Sequence, residues 1–152
     1  MTVPGFLDGY LPYLLRKADQ TLSARFYAVL AEAGVARSEW RVITVLAEHG
    51  GLRVADLATA ALSPQPTVTH ALRRLEERGL VTRTTSPDDR RERLVTLTPA
   101  GAALTAELVA EATRLEAEAL AGAGDLSDLM AQLRDLTARL EARAGATEAL
   151  AG

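Results

Sequence analysis

At 152 residues, 48% of them hydrophobic, the chain has the length of one domain with a core of its own. It contains no cysteine, which excludes disulfides, thiolate metal sites and thiol redox sensing, and its two histidines, His49 and His70, stand too far apart for a helical metal pair. The net charge of −3 argues against a uniformly basic nucleic-acid coat.

No apolar run approaches a membrane span, and the N-terminus lacks a basic-then-apolar signal pattern. A soluble, cytoplasmic protein without cofactor or metal is expected. In chain order, the first predicted element is a long helix. Leu11, Leu15, Ala18, Leu22, Phe26 and Val29 recur at intervals of three and four and make one apolar stripe. Pro12 fits only in a first helical turn, so the helix begins near Gly9–Leu11, and Gly34 ends it. Such a helix is about 33 Å long at 1.5 Å per residue, too long for a small core to cover, so part of its stripe is expected to meet another chain.

A second helix is predicted from Ser38, as N-cap, through Trp40, Val42, Ile43 and Leu46 to the stop at Gly50-Gly51. A short helix follows at about 54–61, with Arg53 as a chemically poor cap. Ser63-Pro64 then opens another, with Ser63 as N-cap and Pro66 tolerated in its first turn, where backbone N–H groups have no helical partner. Gln65, Thr67, Thr69, His70 and Arg73 lie on its polar side, while Val68, Ala71, Leu72 and Leu75 form the apolar side. Those polar types can pair with adenine, touch a thymine methyl or a phosphate, and reach guanine acceptors. Glu76, Glu77 and Arg78 are expected on a solvated face before Gly79 ends the helix.

Two β-rich runs come next, Leu80–Thr85 and Glu92–Thr98, joined by the turn signal Ser86-Pro87-Asp88-Asp89. The loop projects Arg90 and Arg91, and an arginine on a hairpin tip can enter a narrow minor groove. Asp89 is placed to hold the Arg91 side chain by a bidentate pair. Thr98-Pro99 opens an alanine-rich helix reaching Leu120, with Leu104, Leu108, Ala112, Leu115 and Ala119 as its stripe. The run Ala121–Gly124 breaks it, and Asp125 or Ser127 caps a last helix that frays beyond Ala144. There Leu126, Leu129, Leu133, Leu136 and Leu140 alternate spacings of three and four, a heptad seam suited to an intrachain face or, in the preferred reading, to a second copy.

Charge follows this division. Residues 63–94 carry seven arginines against five carboxylates, whereas residues 95–152 carry four basic and nine acidic side chains. A local basic surface on an acidic body is what a site-directed DNA binder needs. No Ser/His/Asp set, phosphate loop or metal constellation occurs, so no catalytic residue is assigned and the chain is not read as an enzyme.

The helix order, the run RLEERGLV and the run DDRRERLVTLTPAG together resemble the MarR family of winged helix-turn-helix regulators. The resemblance covers almost the whole chain and is most specific at Thr67-Val68-Thr69, from Arg74-Leu75-Glu76 to Val81, and from Asp89 to Gly101. It implies a mainly α fold with a small β-wing, one domain over 1–152, dimerisation helices at 1–35 and 99–145, and a DNA-binding region at 36–98. It further implies a bacterial homodimer that binds a pseudo-palindromic double-stranded operator, represses transcription, and responds to a small, often aromatic, anion. The family's Asp-x-Arg wing motif falls on Asp89 and Arg91, and the DNA-contact set comprises Ser63, Gln65, Thr67, Thr69, His70, Arg73, Asp89, Arg90 and Arg91. The family often has arginine where this chain has His70. The family's ligand pocket, where the first, second and fifth helices approach the winged region, would be lined by Tyr10, Tyr13, Arg16, Phe26 and Trp40, with Arg16 as a carboxylate partner. The lack of cysteine excludes the peroxide-sensing branch. The rival reading is a winged-helix protein-interaction module that does not bind DNA, since a fold alone does not assign a function.

Overall fold

Pro12 sets the start of the first long helix in the computed structural model, which describes residues 5–151. Residues 1–4, the first of the 1–35 region expected to dimerise, and residue 152 lie outside that range. A short 3-10 turn at Phe6–Gly9 precedes α1 (Leu11–Glu32), in which Pro12 occupies the first turn as its missing N–H requires. Gly34, at φ 67°, takes the left-handed conformation that closes the helix. The helices α2 (Arg37–His49), α3 (Val54–Ala60) and α4 (Gln65–Glu77) follow, then strands β1 (Val81–Thr85) and β2 (Arg93–Leu97), then α5 (Pro99–Ala119) and α6 (Ser127–Ala151). The fold is therefore mainly α with a small antiparallel wing. Backbone contacts divide the chain into two units, one running to Ala117 and the other from Glu118.

Two predicted caps are corrected. Ser38 lies inside α2, whose N-cap is Ala36; the free N–H of Ala36 is taken by the Glu39 carboxylate at 2.9 Å. A carboxylate three residues on does the capping there, so a serine cap is not needed. Likewise Pro64, not Ser63, stands at the N-cap of α4, and the Ser63 hydroxyl donates back to the Ala61 carbonyl at 3.1 Å. The turn between α3 and α4 is tight enough to hold Leu62 at φ 53°, a left-handed conformation that costs a residue with a Cβ about 1–2 kcal/mol.

The core of the first unit forms where α2, α3 and α4 meet. Val42, Ile43 and Leu46 of α2 join Leu57 of α3 and Val68, Ala71, Leu72 and Leu75 of α4, all buried. Phe26 and Leu30 of α1, Val81 and Val95 of the wing, and Leu108 and Leu115 of α5 close it. Val29 of the predicted α1 stripe is half-buried against this core, whereas toward the start of the helix Leu11, Leu15 and Leu22 remain exposed. β1 pairs with β2 from Val81 opposite Leu97 to Thr85 opposite Arg93, and Leu52 bridges to Val95 on the other side of β2.

The joint between wing and α5 explains the run Thr98-Pro99-Ala100-Gly101. The Thr98 N–H donates to the Leu80 carbonyl at 3.0 Å, its hydroxyl donates to the Gly79 carbonyl at 2.6 Å, and that same hydroxyl accepts the Gly101 N–H at 3.1 Å. Gly101 packs so closely on the end of α4 that a Cβ there would stand 1.9 Å from the Leu80 oxygen. Only glycine fits that approach.

In the second unit Asp125 accepts both the N–H and the hydroxyl of Ser127, which holds its carboxyl below the ordinary aspartate range. The helix that follows does not fray at Ala144 but continues to Ala151, where alanine, glutamate and leucine outnumber the weaker helix formers Gly145 and Thr147. Leu129 and Leu140 of the heptad seam are 50% and 55% exposed. No helix among the described residues is long and apolar enough to cross a membrane.

Candidate nucleic-acid interface

Helix α4 is apolar toward the core and polar away from it. With Val68, Ala71, Leu72 and Leu75 buried, Gln65, Thr67, Thr69, His70 and Arg73 are all exposed on the outer side. An open concavity of about 770 Å³ runs along this side to the first strand of the wing, lined by Gln65, Thr69, His70, Arg73, Glu76 and Arg83. Five polar side chains, Gln65, Thr67, Thr69, His70 and Arg73, thus lie along one side of the helix with nothing of the same unit burying them. Arg73 reaches His70, its Nη2 standing 2.9 Å from the His70 Nδ1. A guanidinium can only donate, so Nδ1 is the acceptor in this contact.

The wing brings Arg90 and Arg91 to an exposed tip, and neither guanidinium has a carboxylate partner among the described residues. The expected pairing of Asp89 with the Arg91 side chain is corrected. Asp89 Oδ1 accepts the backbone N–H of Arg91 at 2.9 Å, and its carbonyl accepts the Glu92 N–H at 3.1 Å. A short carboxylate two residues before an N–H closes an Asx turn more readily than it reaches a long side chain. The role of Asp89 is therefore to shape the loop, leaving the guanidinium of Arg91 free. The base of the loop is fixed by Ser86, buried, whose N–H donates to the Glu92 carbonyl at 2.8 Å.

Other charged residues near the reading surface are engaged elsewhere, which sequence spacing did not reveal. Arg83 of β1 donates to Glu76 of α4 at 2.7 Å, tying wing to helix. Arg53 sits between Asp56 at 2.8 Å and Glu92 at 3.2 Å, and the Asp56 hydrogen bond, then its charge, raises the guanidinium pKa. Arg74 and Arg78 both face Glu39 of α2, and Arg78 also donates to the Gly34 carbonyl at 2.8 Å. Glu76 and Arg78, expected on a solvated face, are thus partners of the wing and of the α1–α2 corner.

The five residues expected around a ligand are not brought together. Phe26 and Trp40 meet edge to face, ring centroids 4.8 Å apart, beside a cleft of about 290 Å³ lined also by Asp19, Tyr27, Arg37 and Arg41. Arg37 lies over the Tyr27 ring, 3.8 Å from its centroid. Tyr10 instead stacks on Phe6 at 4.6 Å, and Tyr13 lies under the Lys17 ammonium at 6.0 Å. Arg16 is exposed on α1, about 15 Å along the axis from Phe26 at 1.5 Å per residue. The cations beside the aromatic pair come from α2, at positions that periodicity marks only as helix surface.

This arrangement defines a winged helix-turn-helix fold, with α4 as the second helix of the helix-turn-helix. The family model described as MarR matches residues 35–92, the stretch from α2 to the wing tip. The chain is 37% identical over 94 residues to the HTH-type transcriptional regulator FarR of Neisseria gonorrhoeae, covering 62% of this chain and 64% of FarR, a little under two thirds of that protein's length. The crystal structure of the MarR family transcriptional regulator SPO1453 from Silicibacter pomeroyi DSS-3 superposes with a TM-score of 0.79 at 34% identity, over 90% of this chain and 99% of that one. NadR in complex with 4-hydroxyphenylacetate superposes with a TM-score of 0.74 at 31% identity, over 92% and 97% of the two chains. The chain belongs to the MarR family of transcriptional regulators.

Proposed function

We propose that the protein is a homodimeric, sequence-specific regulator of transcription, acting as a repressor, whose affinity for double-stranded DNA is modulated by a small aromatic anion. The observation that carries this reading is one unit holding both an amphipathic helix with an uncovered polar side and a wing tip with two unpartnered arginines. Gln65, Thr67, Thr69, His70 and Arg73 read base edges in the major groove, while Arg90 and Arg91 enter the flanking minor groove. Ser63 and Asp89 set the backbone on which those side chains stand. Such a regulator works in the bacterial cytoplasm.

The chain acts as one domain in which 36–98 binds DNA and the helices of 1–35 and 99–145 pair two copies. The uncovered leucines of α1 and α6 support this pairing. Twofold symmetry then sets the two recognition helices about one helical turn of DNA, roughly 34 Å, apart. For the effector, the Phe26–Trp40 pair offers a ring-sized apolar edge, and Arg41 or Arg37, rather than Arg16, offers the carboxylate partner. The 4-hydroxyphenylacetate in the NadR complex supports an aromatic acid as the ligand class.

Selection of bound duplexes from a random pool tests the reading. It should enrich an inverted repeat with half-sites about one turn apart, bound with an affinity that falls steeply as salt rises. Adding 4-hydroxyphenylacetate or a related aromatic acid should then shift that affinity. Wild-type protein that binds no duplex at low salt would overturn the reading and leave the protein-interaction module in its place.

A further inference from the structure

Glu39 is the one acidic residue among the described residues that is fully buried, with 0% of its surface exposed. Neither the reading surface nor the aromatic cleft uses it. One oxygen, Oε2, accepts the Ala36 N–H at 2.9 Å and so caps α2. The other, Oε1, lies 3.0 Å from Nε of Arg74, and the Arg78 guanidinium stands 3.9 Å from Oε2. Oε1 has no aligned hydrogen bond, because the Arg74 N–H is not aimed at it, so charge alone holds that contact. Arg78 continues past the carboxylate to the carbonyls of Gly34 at 2.8 Å and Ala33 at 3.4 Å.

Two elements therefore meet at one carboxylate, the start of α2 and the last turns of α4, and Arg78 carries the contact on to the carbonyls that follow α1. The two arginines lie four residues apart on one edge of α4, so together they fix both its tilt and its rotation. Burying a carboxylate in this way is costly, and an apolar residue of similar size would often serve stability as well. An apolar residue cannot draw both guanidiniums to one point of the seam, and Arg78 adds direction through its hydrogen bonds to the Gly34 and Ala33 carbonyls. That matters here because the contacts lie at the opposite end of α4 from Gln65, Thr67 and Thr69, the first of the base-reading residues. The helix is about 20 Å long, so a swing of roughly three degrees at the clamp moves Gln65 by about 1 Å. Base-edge hydrogen bonds do not tolerate a displacement of that size.

We infer that Glu39 is a positioning residue for DNA recognition, holding α4 through Arg74 and Arg78 so that its far end meets base edges in register. Arg74 and Arg78 are accordingly orienting groups and not phosphate contacts. The inference rests on the proposal that the protein reads DNA, and it concerns selectivity more than adhesion.

The test compares binding of a duplex recovered by selection with wild-type protein against binding of a scrambled duplex of the same length, across a range of salt. Glu39→Gln keeps the shape and removes the charge. The ratio of the two affinities should fall at least about tenfold, while the salt dependence on the scrambled duplex stays as in wild type. A folded Glu39→Gln protein with an unchanged ratio, or with both affinities reduced equally, overturns the inference. If circular dichroism shows that Glu39→Gln does not fold, Arg74→Gln at the half-exposed end of the pair serves instead, with the same fall in ratio expected. Uniform weakening with a salt slope shallower by about one would make Arg74 a phosphate contact and overturn the inference. Wild-type protein that fails to distinguish the two duplexes overturns the DNA-reading proposal itself, an outcome separate from these.

Discussion

Arginines in the second half of α4 and at the base of the wing behave differently from those at the wing tip, though all lie within one short segment. Arg74, Arg78 and Arg83 each find a carboxylate, on Glu39 or Glu76, and hold the recognition helix against the rest of its unit. Arg90 and Arg91 find none among the described residues and are exposed on a loop that Asp89 and Ser86 shape through backbone contacts. The same side chain thus serves as a strut in one region and as an open cation in the other. What separates them is the presence of an acidic partner across a tertiary contact, so local charge density is a poor guide to which arginines meet phosphate. The net excess of two positive charges in residues 63–94 understates the tip and overstates the neck.

The contrast can be broken at the neck first. Gly101→Ala pushes a methyl group into the Leu80 carbonyl, and neither backbone can yield without moving α5 off the end of α4. A loss of about 3 kcal/mol of stability is expected, read as the shift in a denaturant midpoint; a loss below about 1 kcal/mol would mean that the joint is looser than its geometry. At the tip the opposite pattern should hold. Replacing both Arg90 and Arg91 by alanine should leave stability within about 0.5 kcal/mol, yet weaken duplex binding about tenfold or more and flatten its salt dependence. Equal losses of stability and of binding would erase the distinction between strut and open cation. The smallest effect belongs to Arg83→Ala, which removes a partly exposed pair with Glu76. It should cost about 0.5 kcal/mol in thermal unfolding and leave the salt slope of binding unchanged, since Arg83 is occupied by the helix and not by phosphate.

Much of this fold was legible in the chain. Apolar spacing, caps and glycine stops together located the six α-helices among the described residues, Gly34 and Gly79 marked ends that are indeed left-handed, and the turn signal at Ser86-Pro87-Asp88-Asp89 lies in the loop between β1 and β2. The polar side of α4 was legible as well, because one buried side dictates the other at helical spacing. The errors share a cause. Ser38 and Ser63 are good capping residues by type, but the actual partners of the free N–H and hydroxyl groups were a carboxylate at position 39 and a carbonyl at position 61. Asp89 is near enough to reach Arg91 in two ways, and the backbone route won. Among the expected ligand residues only Phe26 and Trp40 meet, because Arg16, Tyr13 and Tyr10 lie about three to four and a half helical turns before Phe26, toward the start of α1.

By itself, then, the sequence determined which stretches are helical or extended, which side of each faces inward, and that residues 63–91 present polar and basic groups outward. Those are consequences of local periodicity and of backbone preferences at glycine and proline, and they act over a few residues. Only the tertiary structure decided which charges are spoken for. Glu39 and Arg74 are separated by most of α2, all of α3 and most of α4, and no spacing rule connects them. Their contact exists because burial of Val42, Ile43, Leu72 and Leu75 brings α2 and α4 together and leaves one carboxylate at the seam.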